Sequence, residues 1–317
     1  MRLLMKYKGM EIIDDINTFS APSHAIVTSG TFDGVHVGHK KILKNIIQTA
    51  KEQSGQSVVV TFWPHPRFVL KQNNDLKLIT TFEEKAELLS ELGIDFLVKI
   101  PFTKEFSQLS SDEFIKKVIV EGLQTRKLVI GYDHKFGKNR EGSFDYLQKN
   151  SERYGFEIKE IPRQDIETIG VSSSKIRTAL SNGDIHIAND FLGRMYAMSG
   201  IVKEGDRIGR SIGFPTANIE VPEHYKLIPT DGSYAVYVDW NGKEFKGMLN
   251  IGQRPTVSGQ ERRIEVNIFD FDKSIYNERL TIRFVKRLRE ETKFENIQHL
   301  KDQLKKDKVK AMNILEG

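Results

Sequence analysis

Between residues 25 and 161, short β-branched runs and amphipathic helical stretches take turns along the chain, and that order tolerates few folds. AIVTSG (25–30) reads as a buried strand, and KKILKNIIQTA (40–50) sets Ile42, Leu43, Ile46, Ile47 and Ala50 on one helical face. SVVVTF (57–62) is the next strand. FEEKAELLSELG (82–93) is a helix with Gly93 as its stop, and DFLVKI (95–100) is a third strand. A Ser–Asp cap opens a helix over 110–123, followed by the strand KLVIG (127–131), a helix near 143–154 and the strand FEIKEI (156–161). Strand–helix alternation predicts an α/β, Rossmann-like parallel sheet with helices on both faces. Its functional loops should gather at the carboxyl ends of the strands.

The pattern changes after residue 183. Stretches 172–183 and 183–193 read as two short helices. YAVYVDW (234–240), the turn Asn241–Gly242 and KEFKGMLNIG (243–252) then form a hairpin. EVNIFDF (265–271) and LTIRFVKRL (280–288) are further strands, and 295–315 has helical spacing. The second half is expected to be a mostly antiparallel β-barrel domain with a C-terminal helix. At 317 residues two domains are expected, 1–183 and 184–317.

Composition narrows the function. Without cysteine there is no disulfide scaffold, thiolate zinc site or cysteine nucleophile. No apolar run approaches the roughly 18 residues of a membrane helix, and the amino terminus lacks a signal-peptide core, so a cytoplasmic protein is expected. The net charge of +5 suits small polyanionic substrates. A nucleic-acid partner is not expected, because no recognition helix or RNA-binding aromatic signature accompanies it.

The first strand meets the first helix at Gly30-Thr31-Phe32-Asp33-Gly34-Val35-His36-Val37-Gly38-His39. Gly30 and Gly34 permit a tight turn close to a ligand. His36 and His39, three apart at a helix start, share a face beside unpaired N–H groups. Such a site suits phosphate oxygens in a reaction that accumulates negative charge. Taken alone, the pair reads first as capping or surface histidines, and the strand–glycine turn–helix context is what favours the phosphate reading. A zinc site lacks a third ligand at a recognisable spacing.

This segment resembles the signature of the HxGH nucleotidylyltransferase superfamily. Val171-Ser172-Ser173-Ser174-Lys175-Ile176-Arg177 is similar to its second, basic element. The loops Phe62-Trp63-Pro64-His65-Pro66 and Gly131-Tyr132-Asp133-His134-Lys135-Phe136-Gly137 resemble the flavin-side motifs of prokaryotic FAD synthetases, which usually carry Phe where His134 stands. The resemblance implies transfer of AMP from ATP to FMN. It assigns catalysis to His36, His39 and Arg177 and ATP binding to Gly30, Phe32, Asp33, Gly34, Ser173 and Lys175. Phe62, Pro64, His65, Asp133 and Phe136 would bind flavin.

A second motif set lies downstream. Residues 200–218 interleave glycines with Lys203, Arg207 and Arg210 and end in Pro215-Thr216-Ala217-Asn218. This reads as a flexible basic loop able to wrap phosphates, though not a Walker loop. Thr216 and Asn218 on an extended segment share a side and could complete a Mg²⁺ shell. With Met248–Thr256 and Glu265–Phe271, the stretch resembles riboflavin kinases. That resemblance makes Glu265 the general base toward the riboflavin 5′-hydroxyl, Gly205 and Arg210 ATP contacts, Thr216 and Asn218 metal ligands, and Arg289 and Glu291 part of a flap over the flavin. Many relatives have His at Asn267 and Gly at Asn277. The whole resembles a bifunctional riboflavin kinase and FAD synthetase using ATP, riboflavin, FMN and Mg²⁺. The alternative is a chain that keeps one activity, or whose first module adenylylates another phosphate compound.

Overall fold

β-Branched runs become the strands, and capped amphipathic stretches become the helices. The computed structural model describes residues 6–7, 9–70, 75–132, 134–162, 170–205, 208–256 and 259–317. It divides into two units, Met1–Leu76 with Thr80–Ser172, and Lys77–Ile79 with Ser173–Gly317.

In the first unit, a short helical turn at Pro66–Leu70 aside, the order is β1 (Lys6–Tyr7), β2 (Met10–Ile13), β3 (Ala25–Ser29), α1 (Val37–Glu52), β4 (Gln56–Trp63), α2 (Phe82–Leu92), β5 (Phe96–Pro101), α3 (Ser111–Phe114), β6 (Thr125–Gly131), α4 (Phe144–Tyr154) and β7 (Glu157–Ile161). The strands align as β1-β2-β5-β4-β3-β6-β7, all parallel except β1 against β2. Alternate residues bury opposite faces. Val27, Val58 and Val60 join one core, and Ile26 and Val59 join the other against Leu43, Ile46 and Leu89 of α1 and α2. The Thr81–Glu84 capping box starts α2, and Gly93, at φ +89°, stops it. The helix expected over 110–123 forms, but past Phe114 it widens to π-helical turns through Gly122. Strand order reverses between β3 and β6, so the loops after these strands open beside one another at the switch point.

The second unit holds α5 (Ser173–Asn182), α6 (Ile185–Leu192), β8 (Tyr196–Lys203), β9 (Ala217–Glu220), β10 (Gly232–Trp240), β11 (Lys243–Thr256), β12 (Gly259–Ile268), β13 (Arg279–Arg289) and α7 (Ile297–Glu316). The six strands close an antiparallel barrel, β10-β11-β12-β9-β8-β13. Tyr196, Tyr234 and Phe284 fill it, with Phe284 between the two tyrosine rings. Ala311 and Leu315 of α7 pack on Met248, Phe269 and Leu288.

The α/β fold followed by a barrel and a terminal helix is as expected, with two local corrections. Gly200–Lys203 is strand rather than loop: Gly200 lies where a Cβ would meet Ile219 and the Glu220 carbonyl, so the glycine admits β9 as a neighbour. The strand read at 265–271 ends at Ile268, because Asp270 turns at φ +53°. Asn277 holds φ +62°, a left-handed conformation that asparagine tolerates. Among the described residues no helix is long and apolar enough to cross a membrane.

Candidate active sites

The first site is the turn leaving β3. Gly30 N–H donates to the Val60 carbonyl, and the chain then bends through positive φ at Phe32 (+47°), Gly34 (+85°) and Val35 (+40°). Two of these three are not glycine, so the conformation must be held by its surroundings. Asp33 Oδ1 accepts from the Thr80 N–H at 3.1 Å and from its hydroxyl, whose oxygen accepts from Gly34 N–H at 3.1 Å. The side chains of Phe32 and Asp33, expected against ATP, therefore face inward and are buried. They support the turn from beneath.

His36 caps α1: its Nδ1 accepts from His39 N–H at 3.3 Å. The capping reading and the phosphate reading of this pair are thus compatible. The two imidazoles stack with centroids 3.6 Å apart, and Phe32 meets His39 edge-on at 5.2 Å. Burial, then the neighbouring His36 and Lys85, hold the pKa of His39 well below its usual value. His39 Nδ1 is buried with no hydrogen-bond partner among the described residues. A stacked imidazole pair at a helix start, one ring with a spare polar atom, can take a polyphosphate.

Sequence reasoning missed Lys85. It lies on α2, inward and buried, and its Nζ donates to Thr61 Oγ1 at 2.8 Å and the Thr31 carbonyl at 3.1 Å. Burial pulls its pKa down to about 8, against the attraction of Asp33 and Glu83. The only signal was a lysine at an apolar position of the helical pattern.

Of the flavin-side residues, Pro64 is exposed after a cis Trp63–Pro64 bond. His65 is buried and accepts from Arg67 N–H at 3.2 Å. Phe62 is half-buried against Phe102 and Phe106. Phe136 departs from the expectation of a ligand-facing ring. It is buried on Phe114 at 5.5 Å, and Gly142 leaves it room where a Cβ would lie 2.3 Å from the ring. His134 Nε2 lies 3.1 Å from Ser29 Oγ, and burial, then Arg140, pushes its pKa down to about 4. It is therefore a neutral flat ring. Asp133 lies outside the described residues. Ser173, Lys175 and Arg177 lie on α5, in the second unit, where Arg177 Nε donates to the Lys77 carbonyl at 2.9 Å.

The second site is built by strand register. Asn218 pairs with Glu265, Glu265 with Asn250, Asn250 with Ser233, and Ser233 with Arg289. Directly opposed residues share a face, so five polar side chains from β9, β12, β11, β10 and β13 form one continuous row. All five line a cavity of about 260 Å³, with Thr216 beside Asn218 and apolar walls that include Phe214, Met248 and Leu304. Ser233 Oγ donates to Asn250 Oδ1 at 3.1 Å. Asn267 Nδ2 donates to the Pro215 carbonyl at 2.7 Å and so fixes the Pro215–Asn218 segment. Gly205 leaves room for the Asn218 amide, because a Cβ there would sit 2.0 Å from Asn218 Nδ2 and would displace it. Arg210 is exposed on the helical turn Ile208–Ser211, and Arg207 lies outside the described residues. Glu291 also lines the cavity. Burial raises its pKa, with Asp231 and Glu265 adding, against the Asn250 hydrogen bond and Arg289. An apolar cavity crossed by one polar row, with the Glu265 carboxylate between two neutral amides, suits a largely apolar ligand that brings a hydroxyl to that carboxylate.

Residues 18–175 match the FAD synthetase family and residues 192–315 the riboflavin kinase family. Relatives described as bifunctional riboflavin kinase/FMN adenylyltransferase include those of Bacillus subtilis (38% identical, over 91% of this chain and 92% of that one) and Escherichia coli K12 (34%, 95% and 97%). A solved structure described as a macrolide-efflux protein from Streptococcus pneumoniae superposes with a TM-score of 0.87 at 30% identity, covering 95% of this chain and 98% of that one.

Proposed function

The chain belongs to the bifunctional riboflavin kinase/FMN adenylyltransferase family, and from that premise we propose how its residues divide the two reactions. It is an enzyme with both activities. It phosphorylates riboflavin with ATP to give FMN, and it transfers AMP from a second ATP to FMN, giving FAD and pyrophosphate.

The kinase reaction is assigned to the barrel. The observation that carries this is the row Asn218–Glu265–Asn250–Ser233–Arg289 across one cavity. Glu265 takes the proton of the riboflavin 5′-hydroxyl as that oxygen attacks the γ-phosphorus of ATP. The isoalloxazine lies toward Arg289 and Glu291, and the triphosphate lies toward Gly205, Arg210, Thr216 and Asn218. No group of three or more His, Asp or Glu among the described residues could hold a metal alone. Thr216 and Asn218 offer neutral oxygens, which fits a Mg²⁺ ion held jointly with substrate phosphates. That ion would neutralise phosphate charge.

The adenylyl reaction is assigned to the turn after β3. His36 and His39 meet the ATP phosphates, Gly30 and Gly34 shape the turn, and Phe32 and Asp33 brace it. Phe62, Pro64 and His65 supply the flavin side. The attacking FMN phosphate is already anionic, so this site needs positive charge and hydrogen bonds more than a base. Ser173, Lys175 and Arg177 are assigned to ATP from the sequence pattern alone. Dependence on ATP fits a cytoplasmic enzyme.

Incubation of the full chain with riboflavin, ATP and Mg²⁺, followed by flavin chromatography, should show FMN first and FAD after it. EDTA in excess should stop both steps and added Mg²⁺ should restore them. FMN that accumulates with no FAD, or turnover that persists in EDTA, would refute this reading. Gly205→Ala should lower riboflavin phosphorylation about tenfold or more by displacing Asn218, and leave FMN adenylylation intact. Steady-state rates on each substrate check it.

A further inference from the structure

The polar row does not stop at Arg289. Beyond it, on α7, lies Asp307, a cavity-lining carboxylate only 3% exposed. A carboxylate this buried needs a partner of opposite charge. Arg289 Nε supplies it, 2.9 Å from Asp307 Oδ2, while Gln303 Nε2 donates to Oδ1 at 2.8 Å. Both oxygens are thereby engaged, one by the arginine and one from the helix itself.

The same guanidinium makes two further contacts. Its Nη1 donates to the Glu290 carbonyl at 2.9 Å, and its centre lies 5.5 Å from the Phe294 ring. One side chain thus ties α7, the end of β13 and the segment 290–294. Thr292 and Phe294 of that segment, with Leu300 and Leu304 of α7, line the same cavity as Glu265. Arginine alone has several rotatable bonds and could point elsewhere. Its direction is set by the buried anion behind it, because its fork geometry satisfies the carboxylate and the carbonyl at once.

We propose that Asp307 is a positioning residue for riboflavin phosphorylation, acting through Arg289 to hold residues 290–294 in the shape that seats the flavin ring. This rests on the assignment of riboflavin to the barrel cavity. The carboxylate works at the ring end of the row, remote in role from the proton transfer at Glu265. Its loss should therefore weaken riboflavin binding more than the chemical step.

The test uses the full chain with Asp307→Asn, Arg289→Lys, the double variant and Glu265→Gln side by side. Asn keeps the volume and the Gln303 bond but loses the charge. Asp307→Asn should raise KM for riboflavin about tenfold or more, with kcat within about threefold of the parent. Adenylylation of supplied FMN should be unchanged, which reports a folded chain. The double variant should be no worse than the worse single, because both break one link. An unchanged KM, a fall in kcat in place of KM, or additive losses would overturn the proposal. Should Asp307→Asn lose adenylylation as well, Arg289→Lys decides: a raised riboflavin KM supports the link and an unchanged one refutes it. Riboflavin phosphorylation surviving in Glu265→Gln would instead exclude Glu265 as the base, a failure of the proposed function and not of the Asp307–Arg289 link, which the riboflavin KM decides.

Discussion

Glu265→Gln should abolish FMN formation from riboflavin while supplied FMN still becomes FAD. Glutamine keeps the size of the side chain and can still hydrogen-bond, but it cannot accept a proton at neutral pH. A positioned base contributes about 10²–10⁴ in rate, so kcat for phosphorylation should fall by that order with a smaller change in riboflavin KM. The row explains why the effect should be concentrated here. Its other side chains next to Glu265, Asn218 and Asn250, are neutral amides that cannot replace it. The substitution has a second readout. Glu265 is one of the charges that raise the pKa of Glu291, so its removal should lower that pKa. The carboxyl carbon resonance of Glu291 should titrate at lower pH in the variant. Full phosphorylation in a folded Glu265→Gln protein would exclude Glu265 as the base.

Much of this site is legible in the amino-acid sequence, and part of the polar row follows from a turn motif. The turn Asn241–Gly242 fixes its hairpin register: Trp240 faces Lys243, and counting outward brings Ser233 opposite Asn250. Two members of the row are thus implied by the hairpin signal. Asn250 to Glu265 is not, because the Ser258–Gly259 step between β11 and β12 signals a turn without fixing register as Asn–Gly does. Asp307 and Lys85 are hidden for another reason. Each is a charged residue in a helix rich in charges; Lys85 differs from its solvated neighbours only by its place in the apolar pattern, and Asp307 only by tertiary burial. The inward side chains of Phe32 and Asp33 are hidden likewise. A motif specifies that a turn exists, while the direction of each side chain depends on partners such as Thr80, 47 residues away from Asp33 in the chain. Strand Gly200–Lys203 is masked by glycine itself, which signals a loop unless the close approach of a neighbouring strand is known.

His39→Ala should do the reverse of Glu265→Gln, stopping FAD formation while riboflavin is still phosphorylated. Loss of one preorganised group facing developing phosphate charge costs about 10²–10³ in kcat, and the helix start and His36 remain to bind ATP. The electrostatics give this prediction a pH signature. In the empty protein His39 is kept neutral by burial, by His36 and by Lys85. A bound triphosphate brings negative charge to the ring and favours its protonated form. ATP binding should therefore take up protons, and calorimetry in buffers of different ionisation enthalpy should show less uptake in His39→Ala. Folding shows the opposite side of the same linkage. A histidine whose folded pKa lies below its unfolded value of 6.5 binds more protons when unfolded, so its stabilising contribution is complete above pH 6.5 and is lost as pH falls below it. His134, depressed to about 4, acts in the same direction between pH 6.5 and 4. Thermal melts of the empty enzyme should fall with acidification across that range, and less steeply in His39→Ala. An unchanged proton uptake together with retained FAD synthesis would remove His39 from the phosphate site.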